Sequence, residues 1–255
     1  MTIRRRDLLS RVAIPALGLQ SSRAAESRAR IRAIAFDAFP ILDPRPVFAL
    51  VSELYPDKGG DLSNLWRTKQ FEYTWVRTLS GRYSDFWQVT NDSLLYAAKA
   101  LKLDLKPEDH ERIMRTYLRL RCWPDAPAAL SSLRNAGLRL AFLSNMTPNM
   151  LESGIRNSGL DNAFDHLLST DRVKAYKPDP RAYGMALKAF GFRREQILFV
   201  PFAAWDMAGA VSFGYPTFWV NRQNQLAEEL GVAADRAGAG LSDLVHYVLE
   251  KAPLR

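Results

Sequence analysis

The sequence predicts a doubly wound, parallel-sheet α/β fold with a helical segment inserted after its first strand. Three observations carry that prediction. The run IRAIAFD, from Ile31 to Asp37, is an apolar strand of the buried kind that ends abruptly on one carboxylate. From residue 126 onward a helix–glycine–strand unit recurs. Between these two regions, residues 43–123 read as helices and lack alternating strand signals.

The elements follow in order. Ile31 to Phe36 is the first strand, with Asp37 at its tip. Helices are expected over Asp61 to Leu79, Ser84 to Leu103 and Pro107 to Arg121. The first of these has a partly apolar face of Leu62, Leu65, Trp66, Tyr73, Val76 and Leu79. Ala126 to Ala136, closed by Gly137, leads into a strand over Leu138 to Leu143. Arg181 to Phe190, closed by Gly191, precedes Ile197 to Val200. Trp205 to Phe213, closed by Gly214, leads into Thr217 to Val220. Glycine just past a helix end supplies the left-handed cap, and the β-rich runs behind it read as buried parallel strands. The expected division is a core of residues 30–42 and 124–255 and a helical cap of residues 43–123, with no internal repeat.

Composition narrows the function classes. At 255 residues the chain makes one large domain or two modest ones, and 47% hydrophobic with 24% charged residues is ordinary for a globular protein. Half of the net charge of +8 comes from the first 25 residues, where Arg4, Arg5, Arg6, Arg11 and Arg23 face only Asp7. Downstream there is no basic run with interleaved aromatics, so no nucleic-acid partner is expected. No segment has the roughly 18 uninterrupted apolar residues of a spanning helix, so stable membrane insertion is not expected. Cys122 is the single cysteine, which excludes an internal disulfide and reads as a small buried filler. At the N-terminus, TIRRRDLL precedes the apolar run Val12 to Leu19 and small residues near Ala24. Residues 1–25 read as a twin-arginine export leader, giving a periplasmic protein. The competing reading is a basic tail or a start placed too far upstream, which would leave the protein cytoplasmic.

Strand tips converge at the carboxyl edge of a parallel sheet, so distant residues can share one pocket there. A carboxylate at the tip of an apolar strand, as at Asp37, is costly unless paired or used, although strand-end aspartates also cap turns. Ser144 to Pro148 ends one strand and starts a helix, with Thr147 as N-cap and Pro148 as the first helical residue. Its backbone N–H groups, with the Ser144 hydroxyl, suit an anion, or simply make a well-capped helix. Lys177, before Pro178, can neutralise Asp37 and a bound anion, or can be a solvated surface lysine.

Four pieces together resemble the haloacid dehalogenase superfamily, and within it the type II L-2-haloacid dehalogenases. They are Phe36-Asp37, Leu143-Ser144-Asn145, Tyr176-Lys177-Pro178-Asp179 with Tyr183, and Ala204-Trp205-Asp206. LWRTKQFEYTW, Leu65 to Trp75, is similar to the dehalogenase cap helix, and GRYSDF, Gly81 to Phe86, to the segment after it. The likeness covers about residues 31–250 and implies a Rossmann-like core.

The resemblance implies a hydrolytic dehalogenase of short-chain 2-haloacids that works through an aspartyl ester. Asp37 is then the nucleophile, Arg67 with Asn145 cradles the departing halide, Lys177 pairs with Asp37, and Asp206 positions the lysine and the water. Ser144 and nearby N–H groups hold the substrate carboxylate. Ala38, Phe39, Phe86, Tyr183 and Trp205 complete the substrate-binding set, and Phe71 lines it or simply packs the core. The implied partner is a small anionic 2-haloacid, and a homodimer is compatible with the sequence. No cofactor or metal is expected. The superfamily's phosphatases carry a second aspartate two residues after the nucleophile, where Phe39 stands, and an acidic pair where only Asp206 is found.

Two segments depart from the dehalogenase pattern. The pattern D-x-Y-G-T-L is met by Asp37-Ala38-Phe39-Pro40-Ile41-Leu42, and S-S-N-A-W-D by Pro201-Phe202-Ala203-Ala204-Trp205-Asp206. Groups that hold the ester-cleaving water in the family are thus Pro201 and Ala203 here. The expectation is an enzyme with intact alkylation and impaired hydrolysis, the alternative a degenerate relative that binds small carboxylates.

Overall fold

A computed structural model of the chain describes residues 31–250. The expected export leader lies outside these residues. Strand β1, Ala33–Phe36, sits inside a four-stranded parallel sheet with β2, Arg139–Ser144, β3, His166–Ser169, and β4, Ile197–Val200, in the order β3-β2-β1-β4. Phe36 stands level with Phe142 on one side and Val200 on the other, and Ser144 level with Ser169. All four carboxyl ends therefore reach the same edge. Beyond β4 a single parallel bridge, Phe199 to Thr217, adds β5, Phe218–Val220, which pairs parallel with β6, Arg236–Gly238.

Both faces of the sheet are covered, which is why its strands are continuously apolar. Ile34, Phe36, Leu140, Phe142, Leu198 and Val200 point into one buried cluster, while Ala33, Ala35, Ala141, Leu143, Ile197 and Phe199 point into the other. The alternation is the period-2 pleat.

Helix α1, Arg45–Leu54, opens the segment after β1 and is followed by α2, Gly59–Leu79, α3, Phe86–Ala100, and α4, Pro107–Thr116. α2 packs along α3 and α1, and α1 also meets α4. The two chain segments that join these helices to the sheet run side by side. The Asp43 N–H donates to the Arg121 carbonyl at 2.8 Å and the Trp123 N–H to the Ile41 carbonyl at 2.9 Å. The remaining helices flank the sheet: α5, Ala126–Asn135, α6, Pro148–Ser158, α7, Pro180–Phe190, α8, Ala204–Phe213, and α9, Leu241–Glu250.

The fold class matches expectation, and several boundaries differ for identifiable reasons. α3 starts at Phe86 because the Asp85 carboxylate accepts the Gln88 N–H at 2.8 Å, capping the helix there. α4 stops at Thr116, five residues before the expected end at Arg121, and the chain then runs beside Asp43. α1 was not expected: its ten residues include a proline, which the first helical turn tolerates. β3 and β6 were not expected either, since HLLS and RAG are too short to show a pattern. Gly191 and Gly214 cap α7 and α8 with left-handed φ of 67° and 94°.

At Gly209 helix α8 comes closest to α7 and to the loop before it. A Cβ there would stand 2.5 Å from the Tyr183 hydroxyl and 2.8 Å from Pro178 Cβ. Tyr183 is fully buried and cannot retreat. Gly209→Ala should therefore lower stability by about 1–3 kcal/mol through overpacking, read as a reduced urea midpoint with unchanged slope.

Candidate active site

Asp37 leaves β1 at the carboxyl edge, its N–H donated to the Val200 carbonyl at 3.0 Å. Its Oδ1 accepts a hydrogen bond from Lys177 Nζ at 2.9 Å, and the same ammonium donates to Asp206 Oδ2 at 2.5 Å. The Tyr183 hydroxyl donates to the other oxygen, Asp206 Oδ1, at 2.7 Å. Asp37 Oδ2 accepts the Phe39 N–H at 3.3 Å. Side-chain exposures of 1% for Lys177 and 2% for Asp206, against 13% for Asp37, leave Asp37 as the member of this trio most open to a reactant.

The loop that supplies Lys177 is pinned at both ends. The Lys177 N–H donates to Asn145 Oδ1 at 3.1 Å, next to the end of β2. Its neighbour Tyr176 donates its N–H to the Thr78 hydroxyl at 3.0 Å and its own hydroxyl to the Ser84 carbonyl at 2.5 Å. Lys177 is thus held by the sheet, and Tyr176 by the inserted helices.

Two carboxylates share one ammonium, so the trio carries one net negative charge when all three ionise. Burial opposes the Lys177 charge, yet attraction to Asp206 and Asp37 and their hydrogen bonds outweigh it and hold the ammonium above its ordinary range. Burial, aided by Asp37, pushes the Asp206 carboxyl up to about 6 although Lys177 and Tyr183 pull it down. Both directions agree that Lys177 stays charged and that Asp206 ionises by neutral pH.

Above this trio lies a pocket closed from the opposite side by α2. Asp37, Asp206, Ser144 and Asn145 form its polar floor, and Arg67 faces them from α2. Phe39, Phe71, Phe86 and Trp205 line the apolar part. Among the described residues Arg67 has no carboxylate partner; its guanidinium stands 5.4 Å from the Phe48 ring centroid. A cation left unpaired in an aromatic surround is free for an anion that enters. The α6 end of the pocket is built as expected, with Thr147 Oγ1 accepting the Met150 N–H at 3.3 Å. Ser144 Oγ accepts the Met146 N–H at 3.2 Å.

The structure therefore brings together Asp37, Arg67, Asp206, Phe39, Phe71, Phe86, Ser144, Asn145 and Trp205 around one pocket, with Lys177 directly behind Asp37. Two candidates sit elsewhere. Tyr183 is expected at the substrate but stands behind Asp206, wholly buried, because its hydroxyl is committed to that carboxylate. Ala38 turns its side chain into the core rather than toward the pocket. Sequence reasoning missed Phe48, Gln70, Tyr117 and Gln223 in the lining. Gln70 could have been found, since it lies one helical turn beyond Arg67 on the same face. Phe48 lies on the unexpected α1, and Tyr117 follows the early end of α4.

The departing residues are also placed. Ile41 is fully buried in the core. Pro201 is buried and its carbonyl accepts the Val220 N–H at 3.2 Å, while Ala203 opens α8 and lines the pocket. Neither side chain can bond to water. Among the described residues no group of three or more His, Cys, Asp or Glu side chains is placed to hold a metal ion.

A family model described as haloacid dehalogenase-like hydrolase matches residues 20–214. The chain belongs to the haloacid dehalogenase-like hydrolase family. It is 41% identical over 220 residues to the haloacetate dehalogenase H-2 of Moraxella sp. (strain B), covering 86% of this chain and 98% of that one. It is 43% identical over 206 residues to the (S)-2-haloacid dehalogenase of Pseudomonas sp. (strain YL), covering 80% and 89%. A crystal structure of an L-2-haloacid dehalogenase superposes with TM-score 0.84 at 42% identity, covering 86% and 99%. The L-2-haloacid dehalogenase of Xanthobacter autotrophicus, solved with chloropropionic acid covalently bound, gives 0.79 at 32% identity, covering 87% and 100%.

Within this family member, removing the shared ammonium leaves two carboxylates facing each other in a nearly dry site. Lys177→Met should destabilise the fold by about 3–5 kcal/mol, measured by chemical denaturation at pH 7. A variant as stable as the parent would show that the trio is not held together by charge.

Proposed function

We propose that this dehalogenase-like hydrolase removes halide from C2 of short-chain 2-haloacids and returns the 2-hydroxy acid. The observation that carries the reading is a facing pair. Asp37, the most exposed carboxylate of a charge-paired trio, looks across an apolar pocket at Arg67, which has no carboxylate partner among the described residues. The names of the relatives point to the same chemistry.

In this reading the four helices α1–α4, within residues 43–123, act as a cap that brings Arg67 to the core. An Asp37 oxygen attacks C2, a C–O bond forms, and the C–halogen bond breaks with its electron pair leaving on the halide. Arg67 and Asn145 receive that halide; a guanidinium is weakly hydrated and suits a poorly hydrated anion. Ser144 and the N–H groups at the start of α6 take the substrate carboxylate. Lys177 holds the Asp37 carboxylate through its hydrogen bond to Oδ1, and Asp206 keeps Lys177 in place. Water then cleaves the ester, restoring Asp37 and releasing the hydroxy acid and one proton. Removing one positioned hydrogen-bonding group from such a step costs on the order of 10²–10³ in rate. Pro201 and Ala203 therefore make ester cleavage the slow step.

The test is halide release from L-2-chloropropionate followed on a fast timescale, with mass spectrometry of the protein. The expected course is a burst of about one halide per chain followed by slow turnover, with an adduct on the peptide containing Asp37. Asp37→Asn should abolish both. Steady turnover without a burst would place the water on other groups. No halide and no adduct would instead favour a carboxylate-binding relative, the reading that Pro201 and Ala203 support.

We also read residues 1–25 as a twin-arginine leader, on Arg4-Arg5-Arg6 and the apolar run behind them. No helix among the described residues is long and apolar enough to cross a membrane. N-terminal sequencing of the exported protein should give a start near Ala25; a full-length chain confined to the cytoplasm of its host would refute this.

A further inference from the structure

The loop after the nucleophile is fastened by its carbonyls, and one cluster outside the pocket fastens all three. The Trp123 indole N–H donates to the Phe39 carbonyl at 2.9 Å. Arg222 Nη2 donates to the Pro40 carbonyl at 3.1 Å, and the Trp123 backbone N–H to the Ile41 carbonyl at 2.9 Å. Arg222 is itself anchored on Asp125 Oδ1 at 2.7 Å, and its guanidinium stands 4.4 Å from the Trp123 ring centroid. Its side chain is only 11% exposed, so the cluster is largely shielded from water.

Within the loop the Ile41 and Leu42 N–H groups both donate to the Ala38 carbonyl, at 3.1 and 2.8 Å, but no bond of the loop's own takes up the Phe39, Pro40 or Ile41 carbonyls. Pro40 has no N–H to give, and the side chains of Phe39, Pro40 and Ile41 carry no hydrogen-bonding group. Yet Phe39 is the residue whose N–H reaches the Asp37 carboxylate at 3.3 Å. Whatever holds the Phe39 carbonyl therefore also sets where that N–H, and the carboxylate oxygen it touches, can stand. Trp123 does not itself line the pocket.

We infer that Trp123, backed by Arg222, is a positioning residue for Asp37: its indole holds the Phe39–Ile41 loop so that the carboxylate stays aimed for in-line attack. The inference rests on the reading of Asp37 as nucleophile. Because the indole holds the Phe39 backbone, whose N–H touches the Asp37 carboxylate, its loss falls chiefly on the chemical step. A displacement of about 1 Å in a reacting group can cost on the order of 10² in rate.

The experiment is single-turnover halide release from L-2-chloropropionate by the full chain, comparing the parent with Trp123→Phe. Phenylalanine keeps a ring beside Arg222 and removes the indole donor. The expected result is a release rate roughly ten- to a hundredfold lower, with the half-saturating substrate concentration within about twofold of the parent. Arg45→Met is the companion variant. Arg45 also stands 4.4 Å from the Trp123 ring centroid but donates to none of the loop's carbonyls, so its rate should match the parent. An unchanged rate in Trp123→Phe overturns the inference, as does a loss explained wholly by weaker substrate binding. If Trp123→Phe does not fold, Arg222→Met decides, since the bonds to Pro40 and Asp125 both leave Nη2 and methionine keeps an apolar stem while removing that donor. A slowed release there supports the inference and an unchanged one overturns it. A parent chain that releases no halide defeats the nucleophile reading, and the positioning role falls with it, which is a different result from an active parent and an unaffected variant.

Discussion

One ammonium placed between two carboxylates organises this protein. Lys177 has almost no contact with solvent, and a charge so placed persists only if its environment supplies what water no longer does. Asp206 and Asp37 supply it at 2.5 and 2.9 Å. The three come from α8, from the loop before α7 and from the tip of β1, so the charge network depends on the whole sheet being assembled in register. Tyr183 extends the network by one more bond, and Gly209 leaves room for that bond by bringing α8 close.

The sheet delivers these groups to one place through its registers. β1 is hydrogen-bonded on both sides, level with β2 and β4, so the height of Asp37 is fixed by two independent ladders. The floor of the pocket is therefore rigid scaffold, while the roof, Arg67 with its aromatic neighbours, comes from helices that reach the sheet through Tyr176 and the paired segments near Asp43 and Trp123. A carboxylate-bearing floor and a separate cationic roof thus come from two packing units.

Much of this was legible in the sequence. The apolar run ending on Asp37, the Thr147-Pro148 helix start and the glycines after α7 and α8 each follow from local rules, and each is found where the sequence puts it. The convergence of Asp37, Ser144, Asn145 and Asp206 was legible once strand tips were assumed to share an edge, whereas Arg67, on α2, was reached only through the family resemblance. What escaped was short or non-local. β3 and β6 are too brief to carry periodicity, and α1 contains a proline that argues against a helix unless its place in the first turn is known. Tyr183 entered the candidate set through the resemblance alone, which does not tell on which side of Asp206 its hydroxyl stands. The bonds from Trp123 and Arg222 to the nucleophile loop span 84 and 182 residues, and no local pattern announces them.

The neighbouring pair Tyr176 and Lys177 has a consequence for how such a chain can diverge. One residue fastens the inserted helices, and the next neutralises the buried carboxylates. Adding or deleting a single residue in that loop would unhook both at once, with no intermediate in which one attachment survives to be improved. Length variation is consequently shut out of this loop. It is left to stretches such as residues 226–235, beyond the Arg222 anchor, which carry no helix or strand and stand largely in solvent. Insertions accumulating there, beside Gln223 at the rim of the pocket, offer the lineage a way to change what enters without touching what reacts.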